Sequence, residues 1–233
     1  AIMKVLETFQ SRIDLTAFEF FSDIAVKLVT EHQDVPRPFA AAAPYYALLE
    51  FESPTEDVLE QAMALFEQCV EEGWVLDGVI SQSESQAANL WRLREGISET
   101  IAPFTPYKND VSVVVSKVPD FLEEIDNIVS SRYPDFEIVW FGHIGDGNLH
   151  LNILKPAALS KEEFFRRWEE VKTKVFATVQ KYAGSVSAEH GVGMTKKPYL
   201  EYTRSAADID YMRAVKAAFD PMNIMNPGKI FDL

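Results

Sequence analysis

The sequence predicts an α+β domain in which helices cover one face of a sheet, followed by a C-terminal helical segment. Strand-like and helix-like patterns alternate along the chain from residue 45, a Gly-Asp-Gly-Asn turn joins two apolar runs into a hairpin, and the last periodic segment is helical. The predicted order of elements is β-α-β-α-β-α-β-β-α-α.

The predicted strands are short runs of β-branched, aromatic and other apolar residues. They cover residues 45–52, 75–81, 110–116 and the two arms of a hairpin over 137–154. The segment DVSVVVS at 110–116 is strongly β-branched, and such residues favour the extended backbone of a strand.

The predicted helices lie between and after these strands. Thr55 stands in an N-cap position and Gly73 ends the first helix, while Pro119 lies near the start of another. The chain begins in helical sequence, and residues 33–44 are expected to form a surface loop. The other predicted helices cover 55–73, 84–102, 119–132, 160–182 and 206–219.

Composition limits the classes of function. The 233 residues are 47% hydrophobic and 25% charged, which is typical of a soluble globular protein of one large or two small domains. The net charge of −14 argues against nucleic acid or an anionic membrane surface as the main partner. The single cysteine, Cys69, cannot form an internal disulfide, and no apolar run approaches the roughly 20 residues of a membrane span. The start at Ala1 within helical sequence suggests a fragment or a processed chain.

The hairpin segment FGHIGDGNLHLN (141–152) contains two of the four histidines in the chain. If residues 145–148 form a four-residue loop, His143 lies directly opposite His150, with Cβ atoms about 4.5–5.5 Å apart. Asn152 then projects from the same side of the sheet. The two imidazoles could converge on one metal ion, and the alternative is a plain hairpin whose histidines face solvent.

A second polar cluster lies in the glycine-rich segment SAEHGVG, where Glu189 precedes His190. If this loop folds over the hairpin, His143, His150 and Glu189 form a set of three metal ligands that leaves a coordination position open for substrate. His190 would remain free as a proton acceptor. The alternative is a turn with two solvated polar residues.

A third cluster is cationic. Arg94 and Ser98 are four residues apart, and hence on one face of a helix, while Lys108 stands at the entrance to a strand. These residues either make surface ion pairs, which contribute little, or bind a carboxylate, for which the arginine fork is well shaped.

The segments FGHIGDGNLHLN, SAEHGVG and NIMNPGKIF occur in this order, and together they resemble the C-terminal, substrate-side region of FAD-linked oxidases of the vanillyl-alcohol-oxidase type. The resemblance runs from about Thr16 to Leu233, in the branch that includes D-lactate dehydrogenases, glycolate oxidase flavin subunits and D-2-hydroxyglutarate dehydrogenases. It implies that residues 1–233 are one ferredoxin-like substrate domain, which closes over an FAD held mainly by an N-terminal domain. That FAD-binding domain is expected to be absent from this chain, since no segment reads as a flavin pyrophosphate loop.

The resemblance also implies a role for each candidate residue. His190 is the general base, and Asn226 lies in the segment that packs near the flavin ring or simply in a C-terminal turn. Ser98 stands where threonine can occur and the spacing before Lys108 differs, so D-lactate, glycolate and D-2-hydroxyglutarate all stay open as substrates. The metal ligands are His143, His150 and Glu189, and the substrate-binding residues are Arg94, Ser98, Lys108 and Asn152.

The expected activity is therefore metal-assisted hydride transfer from C2 of a D-2-hydroxy acid to FAD. A His₂Glu ligand set favours zinc, with manganese, iron and cobalt as alternatives. The competing hypothesis is a non-catalytic module that binds a metal or a small acid. The expected partners are the hydroxy acid, the chain's own FAD domain and a second copy in a homodimer; the expected location is the bacterial cytoplasm or the mitochondrial matrix.

Overall fold

The computed structural model describes residues 1–39 and 42–233, and its centre is a five-stranded antiparallel sheet. The strands are β1 (Leu15–Ser22), β2 (Tyr45–Phe51), β3 (Tyr107–Ser112), β4 (Glu137–Gly142) and β5 (Asn148–Leu154). The helices are α1 (Ile2–Gln10), α2 (Asp23–His32), α3 (Glu56–Glu71), α4 (Glu84–Glu95), α5 (Ile97–Ile101), α6 (Val118–Arg132), α7 (Lys161–Lys181) and α8 (Ala206–Phe219). Short 3₁₀ segments lie at Ala102–Phe104, Val115–Lys117 and Lys197–Tyr202.

The strands are arranged in the order β2-β1-β4-β5-β3, and every neighbouring pair is antiparallel. Strand β1, which the sequence analysis did not assign, lies inside the sheet between β2 and β4. Its residues Phe18 to Ser22 are all buried, because both faces of the sheet are covered there. The strand therefore lacks the alternation of apolar and polar residues by which a half-buried strand is found.

Alternate residues of β1 enter two different cores. Phe20 packs with α1, α3, α6 and α7 on one face of the sheet, and Phe21 packs with α2, α4 and α5 on the other. The α+β class and the antiparallel sheet are confirmed. The prediction that helices lie on one face is wrong, because α2, α4 and α5 cover the face opposite to α1, α3, α6 and α7.

The predicted strand at 75–81 is wrong, since the chain there has neither helix nor strand. Leu76, Val79 and Ile80 are exposed, so these apolar residues do not face a core as they would in a half-buried strand. Asp77 and Gly78 interrupt the run, and the Asp77 carboxylate accepts a hydrogen bond from the Gly78 N–H.

The other predictions hold with changed bounds. The predicted strand at 110–116 instead begins at Tyr107 and ends at Ser112, before a 3₁₀ turn. The predicted helix at 84–102 is interrupted at Gly96, which separates α4 from α5. The predicted loop at 33–44 has no helix or strand in its described part, and residues 40 and 41 lie outside the described residues. In the part of the chain that the structure describes, none of the helices combines the length and apolar character that a bilayer crossing requires.

Candidate active site

The candidate site lies on the sheet face that Phe21 shares. Backbone pairing aligns Phe21 with Phe141, Phe141 with His150 and His150 with Asp110, across four strands. Directly paired residues project from the same face, so one row of side chains runs from β1 to β3. A row of aromatic, imidazole and carboxylate groups therefore crosses the sheet beneath the loops.

The register of the hairpin differs from the prediction. Phe141, and not His143, lies opposite His150, and residues 143–147 form the loop. The Asn148 N–H closes this loop by donating to the His143 carbonyl at 3.2 Å, and Gly147 adopts a φ of 77° with no room for a side chain against the Val113 carbonyl. The rings of His143 and His150 are nevertheless close, with centroids 5.9 Å apart.

His143 belongs to a buried polar network that the sequence analysis missed. Its Nδ1 lies 2.6 Å from Oε1 of Glu19, whose Oε2 accepts a 2.7 Å hydrogen bond from Nε of Arg94. Glu19 is 3% exposed and the Arg94 guanidinium lies over the Phe141 ring, 4.8 Å from its centroid. The signal for Glu19 was a single carboxylate within the apolar run FEFF of the unassigned strand β1. Burial of both partners makes this an internal ion pair rather than a surface pair.

The glycine-rich loop folds over the hairpin as the metal hypothesis required. Asp110 Oδ2 accepts hydrogen bonds from the backbone N–H groups of Glu189 and His190, both at 2.9 Å. The Lys196 ammonium donates to the Asp110 carbonyl at 2.8 Å. Asp110, another buried residue that the sequence analysis did not single out, thus joins the loop to β3.

The three predicted ligands converge. His143, His150 and Glu189 each place a ligand atom within 4.8 Å of the other two, and Glu189 Oε1 lies 3.5 Å from His150 Nε2. A second grouping of Asp110, Glu189 and His190 meets the same limit. The first set fits a catalytic zinc better, because it has two imidazoles and one carboxylate, whereas the second has one imidazole and two carboxylates. Two imidazoles and a carboxylate are the donors of a known catalytic zinc arrangement.

Burial sets the protonation of His150. Burial, and then the positive charge of Arg94, lower the pKa of His150 from 6.5 to about 4, while the Asp110 carboxylate acts in the opposite direction. The imidazole is therefore neutral at pH 7, which is the form that binds a metal.

The predicted substrate-binding residues are in different settings. Asn152 is 2% exposed, and its side-chain amide donates to the His150 carbonyl at 3.2 Å. Lys108 pairs with Asn152 across β3 and β5 and is exposed on the same face. Ser98 is exposed on α5, beyond the interruption at Gly96, so the expected single helix face shared with Arg94 spans two helices.

The remaining candidate, Asn226, lies in the exposed C-terminal tail with a φ of 49°. Within residues 1–39 and 42–233, no hydrogen bond links it or Ser98 to the histidines. The tail does contact the site loop, because the Ile230 N–H donates to the Gly193 carbonyl at 2.8 Å.

Solved structures share this fold. The 4-ethylphenol oxidase of Gulosibacter chungangensis superposes with a TM-score of 0.58 at 13% identity, covering 98% of this chain and 51% of that protein. An alkyldihydroxyacetonephosphate synthase superposes with a TM-score of 0.54 at 12% identity, covering 97% of this chain and 41% of the other. At these identities the likeness establishes the fold alone.

Curated relatives are much more similar in sequence. A protein of Stutzerimonas stutzeri named D-2-hydroxyglutarate dehydrogenase is 68% identical over 231 residues, which are 99% of this chain and 50% of the relative. A protein of the same name from Xanthomonas citri pv. viticola is 51% identical, over 99% of this chain and 49% of the relative. The Rattus norvegicus protein named D-2-hydroxyglutarate dehydrogenase, mitochondrial, is 33% identical over 92% of this chain and 39% of its own length. The chain thus spans about half the length, or less, of these relatives.

The family comparison covers nearly the whole chain. Residues 1–230 match the family described as FAD linked oxidases, C-terminal domain. The match includes the sheet, the hairpin and the glycine-rich loop. The chain therefore belongs to the family of FAD-linked oxidase C-terminal domains.

Proposed function

We propose that this chain is the substrate-side domain of an FAD-dependent D-2-hydroxy-acid dehydrogenase. The observation that carries the proposal is the convergence of His143, His150 and Glu189 within ligand distance, with His190 beside them. The names of the two relatives at 68% and 51% identity favour D-2-hydroxyglutarate as the first substrate to test. An FAD-binding domain outside residues 1–233 completes the enzyme in this proposal.

The ligand set favours zinc. Two imidazole nitrogens and one carboxylate oxygen suit zinc, and three protein ligands leave a position for substrate. When bound, the metal would supply Lewis-acid polarisation that lowers the pKa of the substrate 2-hydroxyl. His143 and Glu189 come from different loops, so the relative positions of these loops determine whether the set is complete.

His190 holds the proton that leaves the 2-hydroxyl. Its side chain is 66% exposed, and its Nε2 lies 3.8 Å from Glu189 Oε1, so the ring stands at the open side of the ligand set. Imidazole is the side chain that most often serves as a general base in catalysis. An FAD held by the other domain would supply the acceptor for the hydride from C2.

Two cations on this sheet face suit a dicarboxylate substrate. Arg94 is fixed by Glu19 and by the Phe141 ring, and among the described residues Glu19 is the one carboxylate within 4 Å of its guanidinium. Lys108 is exposed on β3, and among the described residues no hydrogen bond or ion pair involves its ammonium. In this proposal the Arg94 guanidinium orients one carboxylate of the substrate and the Lys108 ammonium binds the other. Asn152 lies on β5, which pairs with both β3 and β4.

Arg94→Lys in the full-length protein keeps the charge but loses the planar fork. We expect a raised KM with a smaller change in kcat, at a cost of about 1.5–3 kcal/mol, typical of a hydrogen bond to a charged group. Steady-state kinetics with each active hydroxy acid measures this. Arg92→Lys, at an exposed position of the same helix, is the matched control. An unchanged KM for every active substrate would remove Arg94 from the substrate site.

The other half of the enzyme has an apolar surface to contact. Tyr211, Val215 and Phe219 form a stripe at i, i+4 and i+8 on α8 and are 74%, 58% and 82% exposed. Met222, in the tail, is 78% exposed. The tail continues to Asn226 and to the hydrogen bond from the Ile230 N–H to the Gly193 carbonyl at the site loop. We propose that the FAD domain covers this stripe, because a large exposed apolar patch marks an interaction site.

The full-length protein and the isolated chain should differ in activity. Full-length protein should reduce a dye acceptor with D-2-hydroxyglutarate, and D-lactate and glycolate serve as comparison substrates. The isolated 233 residues should neither bind FAD stoichiometrically nor reduce the dye. Absence of activity with every 2-hydroxy acid would refute the dehydrogenase; FAD-dependent activity of the isolated chain would refute the domain assignment.

We propose the cytoplasm if the source is bacterial and the mitochondrial matrix if it is eukaryotic, in line with the name of the rat relative. A homodimer is the proposed assembly, and sedimentation of the full-length protein tests it.

A further inference from the structure

We infer that Asp110 is the positioning residue of the candidate metal site, which it serves in two ways. One carboxylate oxygen holds the backbone of Glu189 and His190, and the other orients the imidazole of His150. This inference rests on the proposed function for the metal, while the contact with the loop is independent of any metal.

The first role follows from the hydrogen bonds of Oδ2. Asp110 is 3% exposed, and this one oxygen accepts from two successive backbone N–H groups at 2.9 Å. Hydrogen bonds to an ionised acceptor are roughly twice as strong as neutral ones. Since these N–H groups belong to Glu189 and His190, one carboxylate determines the position of both the third ligand and the proton acceptor.

The backbone of Asp110 makes further contacts with the same loop. Its carbonyl accepts a hydrogen bond from the Ala188 N–H at 3.3 Å and from the Lys196 ammonium, which also donates to the Val186 carbonyl. The loop is therefore attached to β3 at both of its ends around Glu189. The Asp110 carboxylate therefore has little freedom to move away from this loop.

The second role follows from the other oxygen. Asp110 Oδ1 is buried without a hydrogen-bond partner among the described residues, which is rare for a buried carboxylate and calls for an explanation. The His150 Nδ1 lies 3.8 Å from it, and His150 and Asp110 are directly paired across β3 and β5. A proton on Nδ1 gives Oδ1 its donor after a small rotation of either side chain.

This placement leaves the opposite nitrogen of His150 for the metal. His150 Nε2 faces Glu189 Oε1 at 3.5 Å, on the side where the ligand atoms converge. Metal-binding histidines almost always donate their other N–H to a carboxylate, a carbonyl or water, which fixes the tautomer. Asp110 is in position to be that acceptor.

The second histidine has the same arrangement. Glu19 Oε1 lies 2.6 Å from His143 Nδ1, which leaves Nε2 of His143 for the metal. Two buried carboxylates, on β1 and β3, thus flank the two imidazoles. Asp110 differs from Glu19 because it also holds the loop that carries Glu189.

Asp110→Asn tests both roles in the 233-residue chain. Zinc titration by calorimetry should show binding weakened about 10- to 100-fold, the usual loss when such a partner is removed. Hydrogen exchange in metal-free protein should show that the Glu189 and His190 amides lose protection. Asp126→Asn is the matched control: Asp126 accepts from Trp140 Nε1 at 2.8 Å, away from the histidines, and this variant should keep both properties.

Wild-type protein provides a test that needs no stable variant. In ¹⁵N spectra of the zinc-loaded chain, His150 should carry its proton on Nδ1 and bind through Nε2; zinc on Nδ1 would overturn the orienting role. Unchanged zinc affinity together with unchanged amide exchange in Asp110→Asn would overturn the inference as a whole. If the wild-type chain binds no zinc, the metal part of the proposed function fails. The contact of Asp110 with the loop would still be established if the Glu189 and His190 amides are protected in wild type and lose this protection in Asp110→Asn.

Discussion

Glu189→Gln should lose the metal, and with it the activity, of the full-length protein. A neutral amide is a poor replacement for an anionic ligand, so zinc content should fall and activity should partly return in excess zinc. The backbone N–H of residue 189 still donates to Asp110, so the loop should stay in place. Metal analysis beside steady-state kinetics measures the effect, and Glu201→Gln, at an exposed position, is the control.

His190→Asn should give the opposite pattern. Zinc content should stay near that of wild type, because His190 lies outside the set formed by His143, His150 and Glu189. Flavin reduction should slow by roughly 10²–10⁴, the usual contribution of a positioned general base. Anaerobic stopped-flow measures this rate, with His32→Asn, an exposed histidine on α2, as the control.

The two variants together decide the roles of neighbouring residues. If His190→Asn loses zinc and Glu189→Gln keeps it, the roles are reversed, and His190 rather than Glu189 is the third ligand. If both variants keep zinc and activity, the hairpin histidines have a different third partner.

Metal-free protein should lose stability in acid through His150. Its pKa is about 4 in the folded chain and 6.5 in its ordinary state, so below pH 6.5 the unfolded chain binds a proton that the folded chain does not. The free energy of unfolding should therefore be unaffected by His150 above pH 6.5 and should fall as the pH decreases towards 4. The shift corresponds to about 3 kcal/mol at the low end of this range.

Urea unfolding with a chelator present, at several pH values between 4 and 7, measures this contribution. His150→Gln cannot titrate, so its stability should change less over this range than that of wild type. His32→Gln should follow wild type, because His32 is exposed. Parallel pH profiles for wild type and His150→Gln would show that His150 does not cause the loss.

Local sequence signals were sufficient to predict most of the helices and the presence of the hairpin. Ser160 predicted the start of α7, where its hydroxyl accepts a hydrogen bond from the Glu163 N–H. The Gly-Asp-Gly-Asn turn predicted the hairpin, but its register was wrong by two residues on the first arm. Register depends on which residues neighbouring strands bury, and β1 and β3 had not been placed beside the hairpin.

Glu19 and Asp110 are site residues that could not be predicted from the sequence. Each is a single carboxylate in an ordinary strand segment, and nothing nearby in sequence indicates a partner. Their partners Arg94 and Glu189 lie 75 and 79 residues away. A buried carboxylate is stable only where distant groups satisfy it, so its importance appears once these groups are brought together.

The sequence by itself determined the α+β class, the family and the residue types that converge at the site, because helix caps, turn glycines and histidine spacing act over a few residues. Only the tertiary structure decided that helices lie on both faces, that Phe141 rather than His143 opposes His150, and that Arg94 is held by Glu19. It also decided that Asp110 attaches the Glu189 loop to the sheet. These features depend on strand order and burial, which arise when segments far apart in the chain pack together.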